Sequence, residues 1–261
     1  GDRQKLVSWM EFLELAQYFT YEMIKEQNEG KTDSTPDPAM IEMFNAMVDE
    51  MFDYGRFILK EKRKNPSDDL LSAIANAEIE GEKLTDEFLD GSWLLIIFAG
   101  NDTTRNTMSG GIKLLHENQR QKELLMQDTA LLPNFIHETI RCVSPVIHMR
   151  RTSLEETEIS GQRIGPFEKI SLWYGAANRD PDIFENPNEF NILRENADKH
   201  LAFGIGRHTC LGKPIALMQL KEFYSQFLTR FKDFELNGEW KVAPNNFVHA
   251  IQEMPIKFTP E

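Results

Sequence analysis

The stretch Phe203-Gly204-Ile205-Gly206-Arg207-His208-Thr209-Cys210-Leu211-Gly212 runs straight into a helical pattern from about Lys213 to Phe231. Glycines at 204, 206 and 212 let such a loop turn tightly and bring backbone N–H groups toward one sulfur. The N-terminus of the following helix adds a dipole that favours an anionic thiolate. A lone cysteine is more often a small buried hydrophobe. The other cysteine, Cys142, stands at the end of a different helical pattern, as expected of a packing residue.

Working outward, helical periodicity dominates the first half. Helices are predicted over about Arg3–Gln27, Ala39–Lys64, Asp69–Ala77, Thr85–His116, Gln119–Gln127 and Leu132–Cys142, with a polar loop over Asn28–Pro38. Ser67 or Asp68 is expected to cap the third of these, and Thr85 the fourth. The long fourth helix is apolar on most sides around Trp93–Ala99 and is expected to pass through the core. Thr157–Ile159 and Lys169–Trp173 read as strands flanking a turn at Gly161. A loop-rich stretch, Asn178–Gly212, leads to the cysteine loop. The fold class is mainly α with a small β portion.

Two more stretches carry chemistry. Ala99-Gly100-Asn101-Asp102-Thr103-Thr104 lies inside the long helix, where Asp102 and Thr103 offer an acid and a hydroxyl for relaying protons. Read alone, they also fit a locally hydrogen-bonded kink. Leu95, Ala99 and Thr103 share one face of that helix at i, i+4, i+8 spacing. Glu138-Thr139-Ile140-Arg141 places a carboxylate and a guanidinium on one helix face at i, i+3. Such a pair is expected by chance roughly once in a chain of this size, so position rather than pattern gives it weight.

In this order, the three stretches resemble the oxygen-activation motif, the E-x-x-R motif and the haem-binding signature F-x-x-G-x-[HR]-x-C-x-G of the cytochrome P-450 superfamily. The resemblance implies a cytochrome P-450 fold lacking its N-terminal part, with residues 1–261 forming one partial domain. It implies haem b (iron protoporphyrin IX) as cofactor, Cys210 as the ligand that binds iron, and Phe203, Gly204, Gly206 and Gly212 shaping the ligand loop. Ala99 and Gly100 are small enough to let dioxygen approach the helix. Arg150 and His208 are placed to bind haem propionates, with Arg151 a neighbouring alternative to Arg150. Arg194 joins Glu138 and Arg141 as the third member of a buried structural charge cluster. Val146, Ile147 and Phe247 join Leu95 and Ala99 as substrate-pocket positions.

Asn101-Asp102-Thr103-Thr104-Arg105-Asn106 and His148-Met149-Arg150-Arg151-Thr152 look like soluble bacterial members that oxidise terminal carbons of alkanes, fatty acids, terpenes or sterol side chains. The expected function is a monooxygenase that inserts one atom of O₂ into an unactivated C–H bond of a hydrophobic substrate. Ferredoxin and ferredoxin reductase are the implied electron partners, and Arg207, Lys213 and Lys221 a local positive patch for docking. Two other readings fit the same motifs: a haem-thiolate peroxygenase, and a non-catalytic fragment that needs its missing N-terminal half to bind haem. The Asp102–Thr103 pair favours the monooxygenase.

Composition narrows the classes further. The 261 residues carry a formal net charge of -13 and 41% hydrophobic residues. That acidity argues against nucleic acid, which needs a basic face to displace counterions. With two cysteines, no disulfide framework is expected, and the default setting is the cytoplasm. The longest strongly apolar run, Trp93 to Ala99, falls far short of the ~20 residues that span a bilayer.

Overall fold

The structure, a computed structural model, describes residues 4–10, 12, 38–231, 233–243, 245 and 247–259. It divides into two compact units, Gly1–Asn101 and Asp102–Glu261. Most of the predicted first helix and the Asn28–Pro38 loop lie outside the described residues, apart from Pro38, which opens a helix.

In the first unit, residues 4–10 are helical (α1), followed by α2 (Pro38–Lys64), α3 (Leu70–Ala75), the hairpin β1 (Glu78–Ile79) with β2 (Glu82–Lys83), and the start of α4 (Asp86–Glu117). Trp9, Met51, Leu59, Ala75, Leu89 and Trp93 form its core. The Trp93 indole N–H donates to the Met51 carbonyl at 3.0 Å. Gly55 makes room for that ring, since a Cβ there would lie 2.5 Å from it. The cap of α3 is Asp69 rather than Ser67 or Asp68: its carboxylate accepts the Ser72 N–H at 2.7 Å. The helix begins one residue later than predicted, so the shorter reach favours Asp69. Thr85 caps α4 as expected, with its Oγ1 accepting the Phe88 N–H at 3.2 Å. As expected, α4 enters a core, through Leu89 and Trp93 in this unit and through Ile112 and Leu115 in the second, but around Trp93–Ala99 it is not buried on all sides. Leu95 is 65% exposed and Ala99 is exposed as well, because the residues that pack this helix cluster about its Trp93 face.

The second unit holds the rest of α4, then α5 (Gln119–Gln127), α6 (Leu132–Val143) and α8 (Lys213–Arg230), with the short α7 (Tyr174–Ala177) between. Ile112, Leu115, Leu125, Phe135, Ile136, Ile140, Leu220 and Tyr224 interlock as one core. Tyr224 on α8 donates its hydroxyl to the Thr107 carbonyl of α4 at 2.8 Å. Gly111 permits this approach, for a Cβ there would lie 2.0 Å from the same oxygen.

The β portion is a set of two-stranded antiparallel sheets. Both expected strands and the turn at Gly161 are present, and the turn joins the first strand to a nearer partner. Thr157–Ile159 (β4) pairs with Gln162–Ile164 (β5), not with Lys169–Trp173. Ser160 and Gly161 both have positive φ, 50° and 79°, which closes a two-residue hairpin and pairs the nearest strand. Lys169–Trp173 (β6) instead pairs with His148–Thr152 (β3). The tail adds β7 (Asp233–Leu236) with β10 (Ile256–Thr259), and β8 (Lys241–Ala243) with β9 (Ala250–Glu253).

Candidate functional site

The cysteine loop is held by its own backbone. The Cys210 N–H donates to the Phe203 carbonyl at 2.8 Å, and the Thr209 N–H to the Gly206 carbonyl at 3.0 Å. Gly204 and Gly206 have φ of 69° and 70°, a left-handed conformation that side chains resist. A Cβ at 204 would also meet the His208 carbonyl at 3.2 Å and the Tyr174 hydroxyl at 3.6 Å. The loop thus turns outward and leaves Cys210 exposed. Ile205 and Leu211 beside it are 76% and 72% exposed, and Ile215 and Met218 on α8 are exposed too. Large apolar side chains gathered in the open mark a surface suited to an apolar ligand.

The β3–β6 ladder supplies the polar neighbours. Strand alternation puts His148 and Arg150 on one face and Arg151 on the other. Arg151 donates to the Arg150 carbonyl at 2.9 Å. The side chains of Arg150 and His208 are both exposed. His148 stacks on Trp173, ring centroids 4.9 Å apart, and its enclosed Nδ1 has no partner among the described residues. Tyr174 follows β6 directly and reaches the Gly204 turn, so the end of this sheet lies against the cysteine loop.

Glu138, Arg141 and Arg194 meet in the interior. Arg141 grips both Glu138 oxygens at 2.8 Å, and Arg194 Nε lies 3.1 Å from each of them. The guanidiniums also donate to backbone carbonyls: Arg141 to Asn178 and Pro187, and Arg194 to Glu185. One carboxylate and two guanidiniums thus tie α6 to the loops over 178–194. Burial is the largest influence and opposes the Arg141 charge, but the bond to Glu138 together with the charges of Cys142 and Glu138 outweighs it and raises the pKa. Cys142 lies beside the cluster, where burial foremost, and then the Glu138 charge, push its thiol up to about 11.

Asp102 is buried and forms an ion pair with Arg105 at 3.2 Å. Thr103 is half-buried, and its carbonyl accepts the Thr107 hydroxyl at 2.8 Å. Leu95 and Ala99 belong to the first unit and are exposed there. Val146, Ile147 and Phe247 come together: Ile147 N–H donates to the Phe247 carbonyl at 2.8 Å, and Val146 pairs with Val248.

Sequence reasoning passed over Asn106, Asn178 and two histidines. Asn106 donates to the Asp102 carbonyl and accepts the Ile251 N–H, both at 2.8 Å, linking α4 to the tail. Asn178 accepts the Leu201 N–H at 2.6 Å and donates to Ser144 Oγ at 2.9 Å. Asn106 stands in a predicted helix and Asn178 in a predicted loop, and a polar residue in either place says nothing of burial.

Comparison with known proteins agrees with this geometry. The cytochrome P450 family model matches residues 31–259, and the chain belongs to that family. It is 36% identical over 216 residues to cytochrome P450-terp of a Pseudomonas species, covering 83% of this chain and 50% of that protein. It is 38% identical over 211 residues to a steroid C26-monooxygenase of Mycobacterium tuberculosis, covering 80% and 56%. The solved cytochrome P450-153 from Novosphingobium aromaticivorans superposes with a TM-score of 0.77 at 35% identity, covering 85% of this chain and 55% of that one. The chain therefore spans about half the length of the curated relatives it matches.

The family's cofactor is haem b, and the residues present fit it. A soft sulfur donor suits iron, and the exposed apolar set around Cys210 suits a flat porphyrin. Arg150 and His208 offer donors for carboxylates, and the His148 Nδ1 has an unmet hydrogen-bonding capacity.

Proposed function

We propose that the protein containing this chain is a haem-thiolate monooxygenase acting on a hydrophobic substrate at or next to a terminal carbon. The observation that carries the reading is the exposed Cys210 on a loop whose amide is fixed at 2.8 Å to Phe203. Cys210 would ligate the iron, while Arg150, His208 and His148 would bind the propionate side. Bound through a thiolate, the haem supplies activation of O₂.

The chain's own residues divide the remaining work. Thr103 would hold a proton donor at its hydroxyl, and Asp102 would pass protons to it once released from Arg105. Glu138, Arg141 and Arg194 would hold the 178–194 loops that lead to the ligand segment. Val146, Ile147 and Phe247 would line an apolar surface without fixed charge, which suits a hydrocarbon end better than a polar group. A steroid C26-monooxygenase among the relatives supports a hydrophobic substrate oxidised at one carbon. An iron–sulfur ferredoxin would deliver electrons, with Arg207, Lys213 and Lys221 as its local docking charges.

Turnover of a panel of alkanes, fatty acids, terpenes and sterols under isotopically labelled dioxygen tests the reading. One labelled oxygen atom in a terminal or near-terminal alcohol is expected. Unlabelled product formed with hydrogen peroxide alone would assign the peroxygenase class instead.

A further inference from the structure

We propose that His137 and His200 are positioning residues that hold the cysteine loop through a directed chain of hydrogen bonds, and thereby set the donor strength of the Cys210 sulfur. The proposal rests on the haem-thiolate reading above.

His137 stands on α6 next to Glu138, and His200 lies just upstream of Phe203. His137 Nδ1 and His200 Nε2 are 3.3 Å apart, and the Ala202 N–H donates to His200 Nδ1, also at 3.3 Å. A backbone amide only donates, so His200 Nδ1 carries no proton. Neutral His200 is then protonated at Nε2 and donates to His137, whose Nδ1 is bare in turn. A proton on either Nδ1 would set two donors face to face.

The surroundings favour this neutral arrangement. Burial first, then His137, Lys213 and Arg141, lower the His200 pKa to about 3, against the attraction of Asp198. Burial likewise lowers that of His137, with Lys213 acting in the same sense and Asp198 against it. The direction of the chain is therefore fixed over the working range of pH.

The chain ends at the ligand loop. The His200 ring packs against the Phe203 ring, centroids 5.6 Å apart, and the Phe203 carbonyl is the acceptor for the Cys210 N–H. Asn178 fixes Leu201 from the other side. Residues 201–203 are thus pinned at successive positions, and His200 holds the middle one. Releasing Ala202 lets the Phe203 carbonyl shift, and the Cys210 amide bonded to it would shift too, changing how the loop amides can donate to the sulfur. Weaker amide donation leaves the thiolate a stronger donor, which moves the iron potential to more negative values.

The test uses full-length, haem-loaded protein, with the ferric/ferrous midpoint potential and the Soret band of the reduced carbon monoxide complex as readouts. His137→Leu removes the acceptor and is expected to shift the potential negatively and lose part of the thiolate band. His137→Gln restores an acceptor oxygen and is expected to return both toward wild type. Leu and Gln variants that both match wild type, or that shift alike, overturn the proposal, since packing alone would make them equivalent. A wild-type protein with no thiolate band overturns the underlying haem-thiolate reading instead. Should His137→Leu fail to fold, nitrogen-15 NMR of the wild-type ferrous carbon monoxide complex still decides. Both Nδ1 atoms are expected to be unprotonated, and a proton on either one contradicts the chain.

Discussion

The two cysteines differ in what surrounds them. Cys142 is partly enclosed beside Glu138 with its pKa pushed up to about 11, so at mildly alkaline pH it holds little of the thiolate that reacts. In apo protein, iodoacetamide is expected to modify Cys210 well before Cys142, a ranking that peptide mass mapping reads directly. Equal labelling of both would contradict the burial assigned to Cys142. Glu138 is the most consequential carboxylate at this scale. Glu138→Gln leaves the Arg141 and Arg194 guanidiniums buried without their counter-charge, which costs about 3–5 kcal/mol. Urea unfolding is expected to show that loss, and a change under 1 kcal/mol, about what a surface pair contributes, would refute the cluster's weight. Thr103→Ala touches little packing, and in the proposed mechanism it should divert O₂ to peroxide while substrate binding persists. Unchanged product yield per reducing equivalent would remove Thr103 from the relay.

Among the elements, the contact of α4 with α8 depends on one absent side chain. Gly111→Ala would set a methyl 2.0 Å from the Tyr224 hydroxyl, forcing the two helices apart. Overpacking of this kind costs about 1–3 kcal/mol, measurable as a lower midpoint in denaturant, whereas Gly100→Ala, which meets nothing within 4 Å, lacks that clash. The helices themselves were legible because a 3.6-residue apolar period survives in α2, α4, α5, α6 and α8, and Gln119–Gln127 falls where predicted. Strand pairing was not. The period of two in Lys169–Trp173 says that a strand exists, but its partner β3 was hidden by Arg150 and Arg151, whose long polar side chains mask the alternation. The cysteine loop was legible because glycine and cysteine are required there by geometry and chemistry. The His137–His200 pair was not, since neither residue belongs to a pattern and only the fold brings them together.

Taken as a whole molecule, the protein carries a pH dependence that these contacts set. Burial foremost holds His200 at about 3 against an ordinary 6.5, so below 6.5 the unfolded chain binds a proton that the folded chain refuses. Stability therefore falls as pH drops from 6.5 toward 3. His200→Gln is expected to flatten that slope by up to about 1.4 kcal/mol per pH unit, and an identical slope in both proteins would contradict a buried neutral His200. The proposed hydrophobic substrate implies its own outcome at this scale: each buried CH₂ contributes about 0.8 kcal/mol, so affinity should rise with substrate chain length. Compact polar compounds binding more tightly than long chains would overturn the terminal-carbon reading.

The central claim is that Cys210, and not Cys142, is the thiolate that holds the haem iron. The direct measurement is the absorption spectrum of the reduced carbon monoxide complex in full-length protein carrying Cys210→Ser or Cys142→Ser. Cys210→Ser is expected to abolish the red-shifted Soret band, and Cys142→Ser to retain it. Retention in Cys210→Ser with loss in Cys142→Ser would contradict the account.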